Sequence, residues 1–191
     1  MGYGVIFSLI GGKYGSLACL LIAAIICLIP ITIIYRAVPH LIPNPEITKK
    51  DIIKYVCWIV GIVILGLLVN IVLTHSGLVN TSNGFKRASN TLTDGTFVIK
   101  IMCNVVAVPL LEEILVRGII AGQLAIWQNP LFAVAISSIF FGILHNNIVQ
   151  FIYALIIGIA LGFMYINTKR LSLCIIAHAL INFFVIIITN L

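Results

Sequence analysis

Six long apolar segments, separated by short polar stretches, constrain the fold of this chain more than any other feature of its sequence. A transmembrane helix needs about 20 predominantly apolar residues, with a range of about 17 to 25. Each segment falls in or near that range, and the six are residues 16–35, 52–74, 97–124, 131–149, 151–167 and 171–189. The pattern predicts an all-α fold, a polytopic transmembrane helix bundle with about six spans.

Composition excludes a soluble domain. Hydrophobic residues make up 62% of the chain and charged residues 8%, whereas soluble domains carry about 25% charged residues. The 11 basic residues outnumber the 5 acidic ones and lie mostly between the apolar segments. That distribution suits contact with anionic lipid headgroups and gives no pattern typical of nucleic-acid binding. We therefore expect an integral, multi-pass membrane protein whose surroundings are membrane lipids.

Two polar stretches interrupt the apolar segments in the first half of the chain. Residues 36–54 combine three prolines with four basic residues, and residues 75–96 are rich in Gly, Ser, Asn and Thr. Both compositions are typical of turns and irregular backbone. We therefore predict that both stretches are loops.

An ionisable cluster interrupts the third apolar segment. Glu112 and Glu113 are two of the five acidic residues of the chain, and Arg117 follows them within an otherwise apolar run. A charge at bilayer depth costs at least about 2.5 to 3.5 kcal/mol, so such a cluster indicates a functional site. Glu113 and Arg117 are spaced i,i+4 and share a helix face, while Glu112 points about 100° away. Pro109 lacks an N–H and is expected to kink the helix and to free a carbonyl beside the cluster.

Two further polar pairs lie on other apolar segments. Phe141 and His145 are spaced i,i+4 at the end of the fourth segment, and His178 and Asn182 have the same spacing in the sixth. Each pair therefore shares one face of its helix. Either pair alone could serve only to hydrogen-bond neighbouring helices. Polar sets on three separate helices favour a common site.

Hydrolysis of an amide bond needs an activated water, a stabilised oxyanion and a protonated leaving amine. Glu112 with His145 can act as general base and proton carrier, and His178 with Asn182 can donate hydrogen bonds to the oxyanion. This division of roles requires no metal or other cofactor. The residues Glu112, His145 and His178 could instead be three zinc ligands with one open position. A thiol site built from Cys174, His178 and Asn182 is a further alternative.

Taken in order, the three motifs resemble those of the CPBP intramembrane proteases. They are Glu-Glu-x-x-x-Arg at 112–117, Phe-x-x-x-His at 141–145 and His-x-x-x-Asn at 178–182. That family includes the type II CAAX prenyl endopeptidases, also called Abi or Ras-converting-enzyme-like proteins. The resemblance extends from about residue 97 to the end of the chain, and none of the three motifs departs from the family pattern.

The resemblance implies a role for each motif residue. Glu112 and His145 would activate the water, and His178 and Asn182 would form the oxyanion hole. The second glutamate and the arginine of the first motif, together with Phe141, would support the site. Family members are often labelled metalloproteases, and a metal-free glutamate mechanism is also attributed to them. The implied enzyme is a glutamate-dependent intramembrane protease for which zinc remains an alternative.

The resemblance also suggests how the chain is divided and what it acts on. We expect residues 1–96 to form an N-terminal membrane region with two spans and polar loops, and residues 97–191 to form the CPBP-like catalytic helix bundle. The implied cavity opens to the cytosolic side or to the lipid. The expected substrate is a membrane-associated peptide or protein, in a bacterial cell membrane, and no nucleic acid takes part.

Readings outside the enzyme class remain open at this point. A non-catalytic membrane scaffold or bacteriocin-immunity protein could keep the same fold, and a transporter could use Glu112 as a proton relay. Loss of function in Glu112→Gln at an unchanged protein level would favour chemistry or proton relay over scaffolding.

Overall fold

A computed structural model describes residues 15–190, and every regular element in that range is helical. The α-helices that stand alone in the chain are α1 Ser16–Ala37, α2 Lys49–His75, α3 Leu78–Thr81, α4 Asn83–Thr93, α5 Pro130–Ile143, α6 Ile148–Thr168 and α7 Leu171–Asn190. Between α4 and α5, residues 97–127 form an uninterrupted series of helical segments, named here the central helix. The predicted all-α membrane helix bundle is confirmed.

The helices differ in their ability to cross a membrane. By length and composition, α1, α2, α6 and α7 are long and apolar enough to do so. The helix α5 has 14 residues, and at about 1.5 Å per residue it is shorter than a hydrocarbon core of roughly 30 Å. It ends before the expected limit of residues 131–149 because the chain turns there. Asn146 adopts a φ of 52°, and Asn147 caps α6 by accepting a hydrogen bond from the N–H of Gln150 at 3.0 Å.

The central helix alternates between α and π hydrogen bonding. Its segments are, in order, α Phe97–Lys100, π Ile101–Ala107, α Val108–Glu113, π Ile114–Ala121 and α Gly122–Trp127. Segments with π hydrogen bonding are rare in proteins, and those that do occur are often found at functional sites. Here they flank the short α segment that carries Glu112 and Glu113. The expected third span therefore forms one continuous helix whose register shifts on both sides of the carboxylates.

The predicted loop at residues 75–96 contains a helix, α4, and the prediction was wrong in this respect. Ser82 caps α4 by accepting a hydrogen bond from the N–H of Phe85 at 3.2 Å. Phe85 and Leu92, seven residues apart on one face, are partly buried, while Lys86 is exposed. A short helix with one apolar and one polar face is suited to the membrane interface. Two apolar residues at helical spacing outweighed the turn-forming composition around them.

Glycines lie where α5 and α6 approach each other. A Cβ at Gly158 of α6 would lie 3.2 Å from the Cα of Ser138 in α5. A Cβ at Gly142 of α5 would lie 2.9 Å from the ring of Phe151 and 3.1 Å from its carbonyl oxygen. Small residues at such crossings let helix backbones come close within a membrane. The two helices form a tight hairpin whose turn directly follows the Phe-x-x-x-His motif.

Gly142→Ala is expected to destabilise the protein by about 1 to 3 kcal/mol, because the added methyl group overpacks the contact with the backbone of Phe151. Gly61→Ala in α2 is the matched control, since a Cβ there meets nothing within 4 Å. Thermal unfolding in detergent should show a lower midpoint for Gly142→Ala and no comparable loss for Gly61→Ala. Equal midpoints for wild type and Gly142→Ala would contradict the close packing of the hairpin.

Asp94 connects the start of α1 to the segment that precedes the central helix. Its Oδ2 accepts hydrogen bonds from the Ser16 N–H at 2.7 Å and from the Ser16 hydroxyl at 2.9 Å. These two bonds hold the pKa of the Asp94 carboxyl below its ordinary value. The carboxylate also faces the positive end of the α1 dipole.

The lowered pKa of Asp94 gives a testable dependence of stability on pH. Its contribution is fully present above the ordinary aspartate pKa of about 3.9 and is lost as the pH falls through the lower, folded-state value. Wild type should therefore unfold at a higher temperature than Asp94→Ala at neutral pH, and the difference should narrow in acid. Thermal unfolding of both proteins in detergent over that pH range measures it. If the difference in unfolding temperature stayed constant into strong acid, the stabilisation would not depend on the ionised form of Asp94.

Candidate active site

A buried ion pair forms the base of the site. Arg117 Nη1 donates to Glu113 Oε1 at 2.8 Å, and the two side chains are 1% and 0% exposed, which confirms the predicted i,i+4 pairing. Arg117 Nη2 donates to the carbonyl of Gly158 at 3.3 Å, and the guanidinium carbon lies 4.5 Å from the ring centre of Phe141. A buried charge is tolerated only when it is paired and hydrogen-bonded. Here a carboxylate, a carbonyl and an aromatic face share that role.

His178 lies between the two adjacent glutamates. Its Nδ1 is 2.8 Å from Glu113 Oε1, and its Nε2 is 3.8 Å from Glu112 Oε2. Because Glu113 Oε1 also accepts from Arg117, we assign it as a carboxylate acceptor and place a hydrogen on His178 Nδ1. The other ring nitrogen is thereby directed at Glu112. Glu112 is 20% exposed and Glu113 is fully buried, so Glu112 is the carboxylate that a substrate can reach.

The ring of Phe141 links the helices that carry the site. Its centre lies 5.1 Å from the ring of His145 and 5.8 Å from the ring of His178, both in edge geometry. His145 Nδ1 is 2.9 Å from the Phe141 carbonyl oxygen, which leaves Nε2 of that histidine for other partners. The predicted common helix face was wrong in one respect, because α5 ends at Ile143 and His145 lies in the turn that follows; the two rings are neighbours all the same. One buried ring thus joins α5 to α7 and, through Arg117, to the central helix.

Glu112 lies beside His178, and His145 lies beside the ring of Phe141. In the part of the chain that the structure describes, Glu112 and His145 form no ion pair within 4.0 Å. Both side chains are partly exposed. Their joint action on a water therefore stays a prediction, and it concerns two accessible groups.

Asn182 is turned towards the central helix. Its Nδ2 donates to the carbonyl of Asn104 at 2.8 Å. Asn104 is 8% exposed, and its own Nδ2 donates to the carbonyl of Leu92 in α4 at 3.0 Å. Asn104 is a residue of this site that sequence reasoning missed, because its only signal was a single amide in an apolar segment. These contacts connect α7, the central helix and the interfacial helix α4.

Several buried polar atoms without a hydrogen-bond partner in the protein belong to residues of this site. Asn104 Oδ1, Glu113 Oε2 and Arg117 Nε are inaccessible and make no hydrogen bond within the described residues. Native proteins leave few such atoms unpaired, and ordered water usually satisfies them. The interior at this point is therefore polar enough to admit water, as a hydrolytic site requires.

The residues of the two alternative sites predicted from the sequence have the following surroundings in the structure. Within the described part of the chain, no group of three or more His, Cys, Asp or Glu side chains is arranged to hold a metal ion. Of the proposed zinc ligands Glu112, His145 and His178, the first and the last approach to 3.8 Å. The Cys174 thiol is fully buried and donates to the carbonyl of Leu161 in α6 at 3.6 Å. It is thus engaged in the packing between α6 and α7.

The fold and the site define a polytopic membrane protein with a buried Glu–Arg–His centre and one accessible glutamate. Comparison with known proteins assigns a family to the segment that carries them. Residues 94–184 match the family described as Rce1-like, type II CAAX prenyl endopeptidase Rce1-like. The matched segment carries all three motifs that resemble those of the CPBP proteases.

A curated relative supports the assignment. The protein named "Putative membrane peptidase YdiL" of Bacillus subtilis (strain 168) is 42% identical over 79 residues, which are 41% of this chain and 32% of that protein. The matched part therefore spans about a third of the relative's length. No solved structure matches the chain significantly.

The Glu113–Arg117 pair is expected to behave as a unit in its effect on stability. Arg117→Met alone leaves a buried carboxylate unpaired and should cost about 3 to 5 kcal/mol of unfolding free energy. Glu113→Gln alone leaves the guanidinium without its counter-ion and should cost a similar amount. The double variant should lose clearly less than the sum of the two, because neither charge then remains. Chemical unfolding in detergent measures all four proteins, and additive losses would contradict the pairing.

Proposed function

We propose that this protein is an intramembrane endopeptidase that hydrolyses peptide bonds of a membrane-associated peptide or protein. The observation that carries the proposal is the meeting of three helices at one site. There the partly exposed Glu112 faces His178 Nε2 at 3.8 Å, and Phe141 contacts both histidines. The family of residues 94–184 supports the same activity.

Glu112 is proposed as the general base. It would take a proton from a bound water while the water oxygen attacks the scissile carbonyl carbon, and the proton would then pass to the leaving amine as the C–N bond breaks. His145 would take part in this proton transfer through its Nε2, because its Nδ1 is hydrogen-bonded to the Phe141 carbonyl.

His178 and Asn182 are proposed to stabilise the oxyanion of the tetrahedral intermediate. With a hydrogen on Nδ1, His178 can donate from Nε2 only when it carries a second proton. The buried Glu113 carboxylate, 2.8 Å from Nδ1, would stabilise that imidazolium as an acceptor and counter-charge. Asn182 would contribute the hydrogen of Nδ2 that is not bonded to the Asn104 carbonyl.

Glu113, Arg117 and Phe141 are proposed as supporting residues. Glu113 and Arg117 are too buried to touch a substrate, so their contribution acts through the position and charge of His178. A catalytic group must be held within a fraction of an ångström of its productive geometry. A charged pair fixed to the central helix, α6 and the ring of Phe141 supplies such support.

Cleavage by the purified protein in lipid nanodiscs tests this proposal directly. A library of membrane-associated peptides should contain substrates that wild type cleaves and that Glu112→Gln and His145→Ala cleave about 10²- to 10⁴-fold more slowly, as loss of a general base predicts. Glu46→Gln is the matched control, because Glu46 is exposed in the loop between α1 and α2. It should keep the wild-type rate.

Three results would contradict parts of this mechanism. Full activity of Glu112→Gln would remove Glu112 from the chemistry. Activity that a strong zinc chelator abolishes and added zinc restores would move Glu112, His145 and His178 into ligand roles. No cleavage by folded wild type across the library would favour a non-catalytic scaffold.

A further inference from the structure

The carbonyl of Asn104 lacks a partner within its own helix. In π-helical register a carbonyl accepts from the N–H five residues later, and for Asn104 that residue is Pro109, which has no N–H. The preceding N–H, of Val108, donates to the carbonyl of Cys103 instead. Both backbone donors that could normally reach the Asn104 oxygen are thus removed. The sequence predicted that Pro109 would free a carbonyl beside the cluster, and the π register points to that of Asn104.

The donor that takes this position comes from another helix. Asn182 Nδ2 in α7 donates to the Asn104 oxygen at 2.8 Å. Asn104 itself is held by the bond from its side chain to the carbonyl of Leu92, and its segment packs against α7. A free carbonyl inside a membrane bundle costs several kcal/mol if unpaired, so its pairing is strongly favoured. The direction of the Asn182 amide is therefore set by a fixed backbone oxygen.

We propose that Pro109 is a positioning residue for Asn182, acting by denying the Asn104 carbonyl its helical partner. The assignment of a reaction role to Asn182 rests on the proposed function. The hydrogen bond fixes one hydrogen of the Asn182 amide on the Asn104 oxygen and so orients the second hydrogen of the same planar group. A donor oriented before the substrate arrives does not have to reorganise during reaction, which is the physical basis of oxyanion stabilisation.

Pro109→Ala restores the missing N–H and lets the backbone compete with Asn182 for the carbonyl. Asn182 would then be free to rotate. The buried ion pair lies on the next turns of the central helix and does not use this carbonyl, so the Glu113–Arg117 contact is retained. The substitution removes a restraint on Asn182 without removing Asn182 itself.

A single NMR resonance reports on this carbonyl. Asn104–Val105 is the one Asn-Val step in the sequence, so protein labelled with ¹³C-carbonyl asparagine and ¹⁵N-valine gives one cross-peak in an HNCO spectrum. In nanodiscs, Asn182→Ala should shift the ¹³C frequency of this peak because it removes the donor. Pro109→Ala should shift it as well, and adding Asn182→Ala to Pro109→Ala should cause little further change. Pro30→Ala, which removes a proline inside α1, is the matched control and should leave the peak in place.

Two results would overturn the proposal. An unchanged carbonyl frequency in folded Asn182→Ala would show that Asn182 does not occupy this oxygen. If the change in carbonyl frequency in the double variant equalled the sum of the changes in Pro109→Ala and Asn182→Ala, the proline would not act through the asparagine.

Cleavage kinetics separate this proposal from the proposed function. With a peptide that wild type cleaves, Pro109→Ala should lower kcat about tenfold at nearly constant KM, less than the 10²- to 10³-fold expected for losing an oxyanion donor. If Pro109→Ala shifts the carbonyl resonance but leaves kcat unchanged, the positioning role is contradicted and the peptidase proposal still stands. Absence of cleavage by wild type would reject the peptidase, and the resonance would still decide whether Pro109 directs Asn182.

Discussion

Two opposite charges, Glu113 and Arg117, are buried together in the helix bundle, and the arrangement of the surrounding helices follows from the need to satisfy them. Desolvating an ion costs several kcal/mol even after relaxation. For the guanidinium, this desolvation cost is offset by contacts with the Glu113 carboxylate, the carbonyl of Gly158 and the face of Phe141. For the Glu113 carboxylate, the cost is offset by contacts with Arg117 and His178. Four helical elements are thereby fixed around one pair.

The same pair explains why adjacent glutamates differ in accessibility. Successive residues of a helix point about 100° apart, so when Glu113 faces Arg117, Glu112 must face elsewhere. It is directed towards His178 Nε2 and remains partly exposed. Two chemically identical side chains thus differ in their surroundings: Glu113 is a buried counter-ion, and Glu112 is the accessible carboxylate that we propose as the base.

The sequence predicted those features of the site that depend on helical periodicity alone. The Glu113–Arg117 pairing follows from i,i+4 spacing within the central helix. The loss of a donor at Pro109 also follows from the sequence, but the π register, which the sequence did not predict, decides which carbonyl loses it. Features that depend on how helices meet could not be predicted. The contact of His178 with Glu113, the pairing of Asn182 with Asn104 and the early end of α5 are of this kind. The helix α4 was missed for another reason, since its composition is typical of a loop and its apolar face has only a few residues.

The central claim is that the buried Glu113 carboxylate holds His178 by Nδ1 so that Nε2 faces Glu112. The most direct test is the ¹⁵N spectrum of the imidazole nitrogens in protein labelled at its four histidines, reconstituted in nanodiscs, with His178 assigned by comparison with His178→Gln. We expect Nδ1 of His178 to carry a proton and to show the chemical shift of a nitrogen that donates a strong hydrogen bond. A neutral His178 protonated on Nε2, with a bare Nδ1, would contradict it.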